Sequence, residues 1–521
     1  MSNLQPEKPA QSQGLLRSSG VVSAMTMVSR VFGLVRDMVV AYFFGAGVAA
    51  DAFFLAFKIP NFFRRLFGEG AFNQAFVPVL SEYRQQRPEE VRHLIQRVSG
   101  SLGLVLLLIT LAGVVGAGGV IAVFAAGFVY HGADEKLLLA TDMLRLTFPY
   151  LFFISMTALA GSVLNSFGRF GAPAFTPVLL NLCLIAGAVY LRPLLDVPVM
   201  ALAWSVLLAG VVQLLFLLPF LRSAGLLVWP KPDFRDEGVK RILMLMLPAI
   251  FGVSVGQINL LLDTVLASFL ETGSLSWLYY SDRLLELPLA LFGITIATVI
   301  LPSLSRKHAD ASTDEFGATL DWAVRMVFAI GLPASVALVI LSDSLITTLF
   351  YQGEMTPRDV TMAGYSLSAY GIGLLAHMLV KVLAPGYFSR QDTRTPVRYG
   401  IIALVANMVL NLLLVWEFRH AGLALATSLS AFLNAGLLFM GLWRHGVYRF
   451  APGWTRFITQ LLLACVALAG LLFSLVPEQT HWLQMLFWER FAAMLGICVA
   501  GIAVYGLVLR LTGFDFRKMI R

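Results

Sequence analysis

Five basic side chains, Arg30, Arg36, Lys58, Arg64 and Arg65, lie between residues 30 and 65 in surroundings that are otherwise apolar. Asp37, Asp51 and Glu69 are interleaved with them or follow within a turn. Arginine carries a planar fork of N–H donors that grips phosphate oxygens two at a time, which lysine cannot do. Five cations against three carboxylates leave an excess of two, and Arg283, beside Asp282, adds to it from a distant part of the chain. The chemistry open to such a set is the capture of a polyanion such as pyrophosphate. The competing reading is a set of internal ion pairs, Arg30 or Arg36 with Asp51, and Arg65 with Glu69 at i,i+4.

At about 100° per residue, Ser29, Arg30, Arg36 and Asp37 fall within a helical wedge of roughly 120°. Asp51, Lys58, Arg65 and Glu69 fall within roughly 40° of one another, with Asn61 and Arg64 further round. Each helix therefore carries one charged stripe, and a charged stripe does not face lipid. A second constellation is cation-like. Asp263 stands in INLLLDTVLASFL with no basic residue near it, Asn407 and Asn411 are one turn apart, and Thr427 follows. Carboxylate, amide and hydroxyl oxygens suit a hard cation such as Na⁺; hydrogen bonding between helices is the alternative use of such groups. His377 and Lys381 read as helix packing or cavity lining. Neither a nucleophile–base arrangement nor a GxxxxGK[ST] motif is present, so hydrolysis by a P-loop is excluded.

The composition says what elements must hold these groups. The chain has 521 residues, 58% hydrophobic and only 13% charged, with a mean hydropathy of +0.79. A single water-soluble core cannot absorb that much apolar surface, and disorder or a disulfide scaffold is excluded by the same numbers. Cys183, Cys465 and Cys498 show neither CxxC nor metal spacing. Apolar runs bounded by Pro, Gly and charge clusters predict fourteen spans, over 20–45, 50–82, 95–125, 138–167, 172–192, 197–221, 239–271, 276–305, 316–347, 360–389, 396–416, 421–443, 456–476 and 484–511. The segment FGEG at 67–70 reads as a break inside the second. Of the 38 Lys and Arg, 24 fall in the two termini and the loops on their side, 4 in the opposite loops and 10 inside spans. The positive-inside bias therefore places both termini in the cytoplasm and accounts for the net charge of +8 without a nucleic acid.

The expected fold is an all-α polytopic membrane protein. Its predicted parts are a tail at 1–19, a six-helix lobe at 20–221, a basic linker at 222–238, a second six-helix lobe at 239–443, and a C-terminal helix pair with its tail at 444–521. If the lobes repeat one another, they enclose a central cavity as transporter halves do. The last pair is almost wholly apolar and suits contact with a long lipid tail. No connection exceeds about twenty residues, which leaves no room for a soluble catalytic domain. A membrane glycosyltransferase would need a carboxylate cluster beside an external loop, and a cation exporter would need an acidic rather than a basic cavity.

SRVFGLVRD, GAGVAADAFFLAFKIPNFFRRLFGEGAFNQAFVPV, SWLYYSDRLLELP and KVLAPGYFSRQDTRTPV closely resemble the MurJ (MviN) family of lipid II flippases, within the MOP exporter superfamily. The resemblance covers essentially the whole chain. It implies fourteen helices, two lobes with a terminal pair forming a groove for the polyprenyl tail, and transport of a peptidoglycan precursor across the bacterial cytoplasmic (inner) membrane without enzymatic chemistry. It implies that Arg30, Arg36, Arg64 and Arg283 are the cavity arginines, with Ser29, Asp37, Asp51, Asn61, Arg65 and Glu69 in the same motifs. Its implied partners are lipid II and the phospholipid bilayer, with the cell-wall synthesis machinery a candidate third. Some members resemble this chain at Asp263, Asn407, Asn411 and Thr427, the candidate Na⁺ ligands.

Overall fold

The computed structural model describes residues 10–65, 72–309 and 313–515, and these are helical almost throughout, with no strand among them. Two compact units emerge. One comprises the chain up to Val40 together with Ala52–Gln257; the other comprises Ala41–Asp51 together with Ile258 onward. The first is built on α1 (Ala10–Phe44), α2 (Val48–Phe63), α3 (Phe72–Gln86), α4 (Val91–Val115), α5 (Ala117–Phe124), α6 (Ala126–Tyr130), α7 (Asp134–Thr147), α8 (Tyr150–Ser166), α9 (Gly171–Ala186) and α10 (Met200–Ser223). Helix α11 (Glu237–Ser268) contains the boundary. The second continues with α12 (Ser274–Pro288), α13 (Thr295–Ala309), α14 (Thr313–Ile340), α15 (Ser342–Phe350), α16 (Pro357–Phe388), α17 (Arg394–Arg444), α18 (Trp454–Leu475), α19 (Gln479–Gln484) and α20 (Phe487–Leu511).

Among the described residues nine helical stretches are long and apolar enough to cross a membrane. One of them, α17, contains two predicted spans: its backbone leaves helical geometry at Arg419 (φ 51°, ψ −131°), between 396–416 and 421–443. Other predicted spans are divided. The 316–347 span is interrupted at Leu341, between α14 and α15, and the 276–305 span passes through a π-helical segment, Leu289–Ile294. The first helix is already formed at Ala10, the first described residue, ahead of the expected start at 20. The second span runs through α2 to Phe63 and resumes in α3; FGEG and Glu69 lie outside the described residues.

The linker is tied down. Lys231 N–H donates to the Gln96 carbonyl (3.1 Å), Gln96 Nε2 to the Trp229 carbonyl (3.0 Å), and Asp233 N–H to Ser101 Oγ (3.0 Å). Gly100 lets it approach, since a Cβ there would meet the Lys231 backbone. Arg241 pairs with Glu82 at 2.7 Å. In the first unit α8 packs against α3, α4, α9 and α10. In the second, α16 is central, packing on α12, α14, α15 and α17. A Thr356–Asp359 capping box and Pro357 start α16, and Ser428 Oγ on α17 donates to the Ala369 carbonyl (2.7 Å).

That crossing depends on Gly373, where a Cβ would stand 2.7 Å from the Cα of Ser428. Gly373→Ala is expected to destabilise the protein by about 1–3 kcal/mol through overpacking. Gly436→Ala, where a Cβ meets nothing within 4 Å, should be neutral or stabilising by about 0.5–1 kcal/mol. Thermal unfolding of the two variants in detergent checks the contrast.

Candidate functional site

In the first unit the polar face of α1 is organised by a residue from α9. Arg36 Nε and Nη2 donate to Asp37 Oδ1 at 2.9 and 2.6 Å, and Arg36 Nη1 donates to Asn181 Oδ1 at 3.0 Å. Asn181 Nδ2 donates in turn to the Ser29 carbonyl at 3.0 Å. Arg36, Asp37 and Asn181 are all buried, and Gly33 leaves room for the Asn181 amide. A buried guanidinium is tolerable only when its N–H groups and its charge are both answered, and here a neighbouring carboxylate and an amide oxygen do so. Within this unit Arg36 takes Asp37, its neighbour in sequence, as its carboxylate partner. Asn181 escaped the sequence reading because a lone Asn in an apolar helix carries no spacing signal.

The other basic groups of this unit are more accessible. Arg64 Nε donates to Asn61 Oδ1 (3.2 Å), while Asn61 Nδ2 donates to the Phe57 carbonyl (2.9 Å). Asn61, Lys58 and Arg64 are half-buried and Arg65 is exposed. Arg30 is half-buried and has no ion-pair or hydrogen-bond partner among the described residues. Pairing of Arg65 with Glu69 falls outside the described residues.

The second unit holds Arg283 and Asp51. Arg283 Nη1 donates to Glu286 Oε2 at 3.0 Å, and its guanidinium lies over the Tyr279 ring, 5.1 Å from the centroid, with the Tyr279 hydroxyl 3.3 Å from Nε and Nη2. Glu286 and Tyr279 were missed in the sequence, although Glu286 sits at i+3, the spacing of a helical ion pair. Asp282 is exposed. Asp51 belongs to a segment, Ala41–Asp51, that clusters with this unit. Its carboxylate caps α12: Oδ2 accepts from Gly273 N–H (2.7 Å), and Oδ1 from Ser276 N–H (3.0 Å) and Ser276 Oγ (2.6 Å). Gly273 has φ 101° and no side chain, so α12 lacks a cap of its own and takes this one. An anion at a helix N-terminus satisfies orphan N–H groups and meets the positive end of the helix dipole. Two backbone N–H groups and one hydroxyl thus engage both oxygens of Asp51.

The four cation-like residues are brought together. Asn411 Nδ2 donates to Asp263 Oδ1 at 2.7 Å and to Asn407 Oδ1 at 2.9 Å; Asn407 Nδ2 donates to Thr427 Oγ1 (3.4 Å) and Ser430 Oγ (3.3 Å). Asn407 and Asn411 are buried, and Asn411 Oδ1 accepts no hydrogen bond among the described residues. One carboxylate and several neutral oxygens form a donor set for a hard monovalent cation rather than a transition metal.

Apolar helices in two units, with arginine–carboxylate groups inside them, define a polytopic membrane protein of the transporter type. The model of the family described as "Lipid II flippase MurJ" matches residues 40–492. A Vibrio cholerae protein described as a probable lipid II flippase MurJ is 53% identical over 514 residues, covering 98% of both chains. A Burkholderia cenocepacia lipid II flippase MurJ is 42% identical over 516 residues, covering 96% of this chain and 98% of its own. Among solved structures, a lipid II flippase MurJ in an inward closed conformation superimposes with a TM-score of 0.79 at 26% identity, covering 96% and 99% of the two chains. An inward-facing multidrug MATE transporter of the MOP superfamily shares the fold, with a TM-score of 0.67 at 16% identity over 82% of this chain and 97% of that one. The chain belongs to the MurJ family. It is accordingly a transporter and not an enzyme.

Asp51→Ala removes a cap that no residue of α12 can replace. The loss is expected to be about 1–2 kcal/mol, the scale of an N-cap deletion. Asp51→Asn, which keeps one acceptor, should lose less; thermal unfolding of the purified variants measures both.

Proposed function

We propose that this chain moves lipid II from the inner to the outer leaflet of the bacterial inner membrane by alternating access, with both termini in the cytoplasm. The observation that carries the reading is the placement of guanidinium groups inside apolar helices with partners that can be exchanged. Arg30 and Arg64 of the first unit and Arg283 of the second are at least partly accessible, and they take the pyrophosphate. Phosphate oxygens replace the neutral Asn61 oxygen on Arg64 and the Glu286 carboxylate on Arg283. Arg36 joins when Asp37 turns away, and Arg65 adds charge. Asp37, Asp51, Asp282 and Glu69 reset the empty carrier by taking the arginines back, with Ser29 at the pivot of α1. Neutralising a diphosphate in this way removes the main barrier to its passage through hydrocarbon. The hydrocarbon tail remains in lipid along α18 and α20. Enzymes that make and polymerise the precursor are the expected neighbours in the cell.

A second element is ion coupling. Asp263, Asn407, Asn411 and Thr427 bind Na⁺, and the unpartnered Asn411 oxygen is the observation that favours it.

In cells depleted of their own flippase, wild type should restore cleavage of outer-leaflet lipid II by an externally added enzyme. Arg283→Ala should lose about tenfold or more while still inserting, the cost of one charge-assisted contact in a dry site. Arg64→Lys should be impaired because a point charge replaces a fork; wild-type behaviour would reduce the role to simple charge. Asp263→Asn should abolish any difference between sodium-containing and sodium-free media; if the wild type shows none, the cation site falls.

A further inference from the structure

Arg325 and Arg490, both inside predicted spans, take no part in the sites above. Both end on contacts between the C-terminal helix pair and α14–α15. On α14, Arg325 Nε donates to Asp321 Oδ2 at 2.7 Å. The other oxygen of Asp321 accepts from Tyr448 Oη (2.9 Å) and Trp454 Nε1 (2.6 Å), where the chain enters α18. The Arg325 guanidinium also lies over the rings of Trp454 and Phe457, 5.0 and 5.3 Å from their centroids. Asp321 is 5% exposed. At the other end Arg490 of α20, 4% exposed, donates to the Thr347 carbonyl (3.0 Å) and the Tyr351 carbonyl (2.9 Å), which close α15. Beside it, buried Trp482 donates through Nε1 to Thr348 Oγ1 (3.0 Å).

Between these ends the contact is apolar. Leu341 packs with Leu468, Leu472 and Ile497, and Phe328 with Leu461 and Leu509. In a bilayer such a contact has no register of its own, because lipid tails solvate leucine as well as another helix does. Groups with directional requirements do set a register. Arg490 places a cation on the carbonyls of a helix C-terminus, where the dipole favours it. Asp321 satisfies a cation and two ring or phenol donors at once. Neither arrangement survives sliding or rotation of α18 and α20 by one residue.

We propose that Asp321–Arg325 and Arg490 are positioning clasps that lock the helix pair onto α14–α15 at both ends. The pair then travels as part of the second unit and holds the amphiphile's hydrocarbon tail during transport. The role of the tail rests on the flippase reading; the locking does not. The outward faces left for the tail carry Val466 and Phe473 on α18, and Leu495, Val499 and Ile502 on α20, all exposed.

The test is the double variant Arg325→Met/Arg490→Met in the full chain, which keeps the apolar packing and removes both clasps. Spin labels at Val466 and Leu412, both outward-facing, report the position of the pair in a cysteine-free background. A narrow distance distribution in the parent should broaden in the variant; an unchanged distribution would overturn the proposal. In vesicles, the variant's preference for undecaprenyl-tailed over farnesyl-tailed lipid II should fall by about fivefold or more, the size expected of a lost interhelical polar contact. Equal loss for both tails would refute tail holding. If the parent flips neither, the flippase reading fails and the label distances still decide the clasps. Should the double variant not accumulate, Arg490→Lys keeps the charge without the two-carbonyl fork and is judged by the same two readouts.

Discussion

A charge carried into hydrocarbon must be answered by another charge or by oriented dipoles, and most of this molecule's specific structure follows from that requirement. Arg36 is answered by Asp37 and Asn181, Arg283 by Glu286 and the face of Tyr279, Arg490 by the last carbonyls of a helix. Asp51 is answered by the opening N–H groups of α12. Where the answer comes from another element, as with Asn181 of α9, Asp51 at the start of α12 and Arg490 on the end of α15, it joins elements that apolar contact alone would leave free to slide. The polar groups are thus both the most expensive parts of the fold and the parts that give it a single arrangement.

The same requirement connects stability to transport. An arginine whose partner is permanent is a structural bolt; one whose partner can be exchanged is a carrier. Arg490 bonds backbone carbonyls, which cannot leave without unwinding α15, and Arg325 bonds a carboxylate already occupied by Tyr448 and Trp454. Arg64 and Arg283 bond side chains on their own helical segments and remain partly accessible. A diphosphate offers more negative charge and more acceptors than a single amide or carboxylate. In the proposed cycle it displaces those side chains and is displaced by them once it leaves.

The candidate site was legible to the extent that cost is legible. Ionisable residues in apolar helices are rare because each must be compensated, so Arg30, Arg36, Arg64, Arg283, Asp51 and Asp263 stand out in the sequence. The grouping of Asp263 with Asn407, Asn411 and Thr427 could be read as well: oxygens that must avoid lipid seek one another, and they do so across 148 residues of chain. Pairings were less legible. Charge alone offered Arg36 several carboxylates, and adjacent Asp37 is within reach because it meets the guanidinium without any tertiary adjustment. Asn181 and Tyr279 left no trace, since a neutral polar or aromatic residue costs too little in a membrane helix to mark itself.

By itself the sequence determined the class of protein, the positions of most helices and its family, because these depend on local hydropathy, on Pro and Gly, and on motifs local to the chain. Tertiary structure decided which partner several of the charges take, where the long helices break, and that two of the embedded arginines sit at the contact between the C-terminal pair and α14–α15. Those outcomes depend on distances of a few ångströms between segments far apart in sequence. The polar pairings and the close helix crossings, such as the one at Gly373, together set such distances.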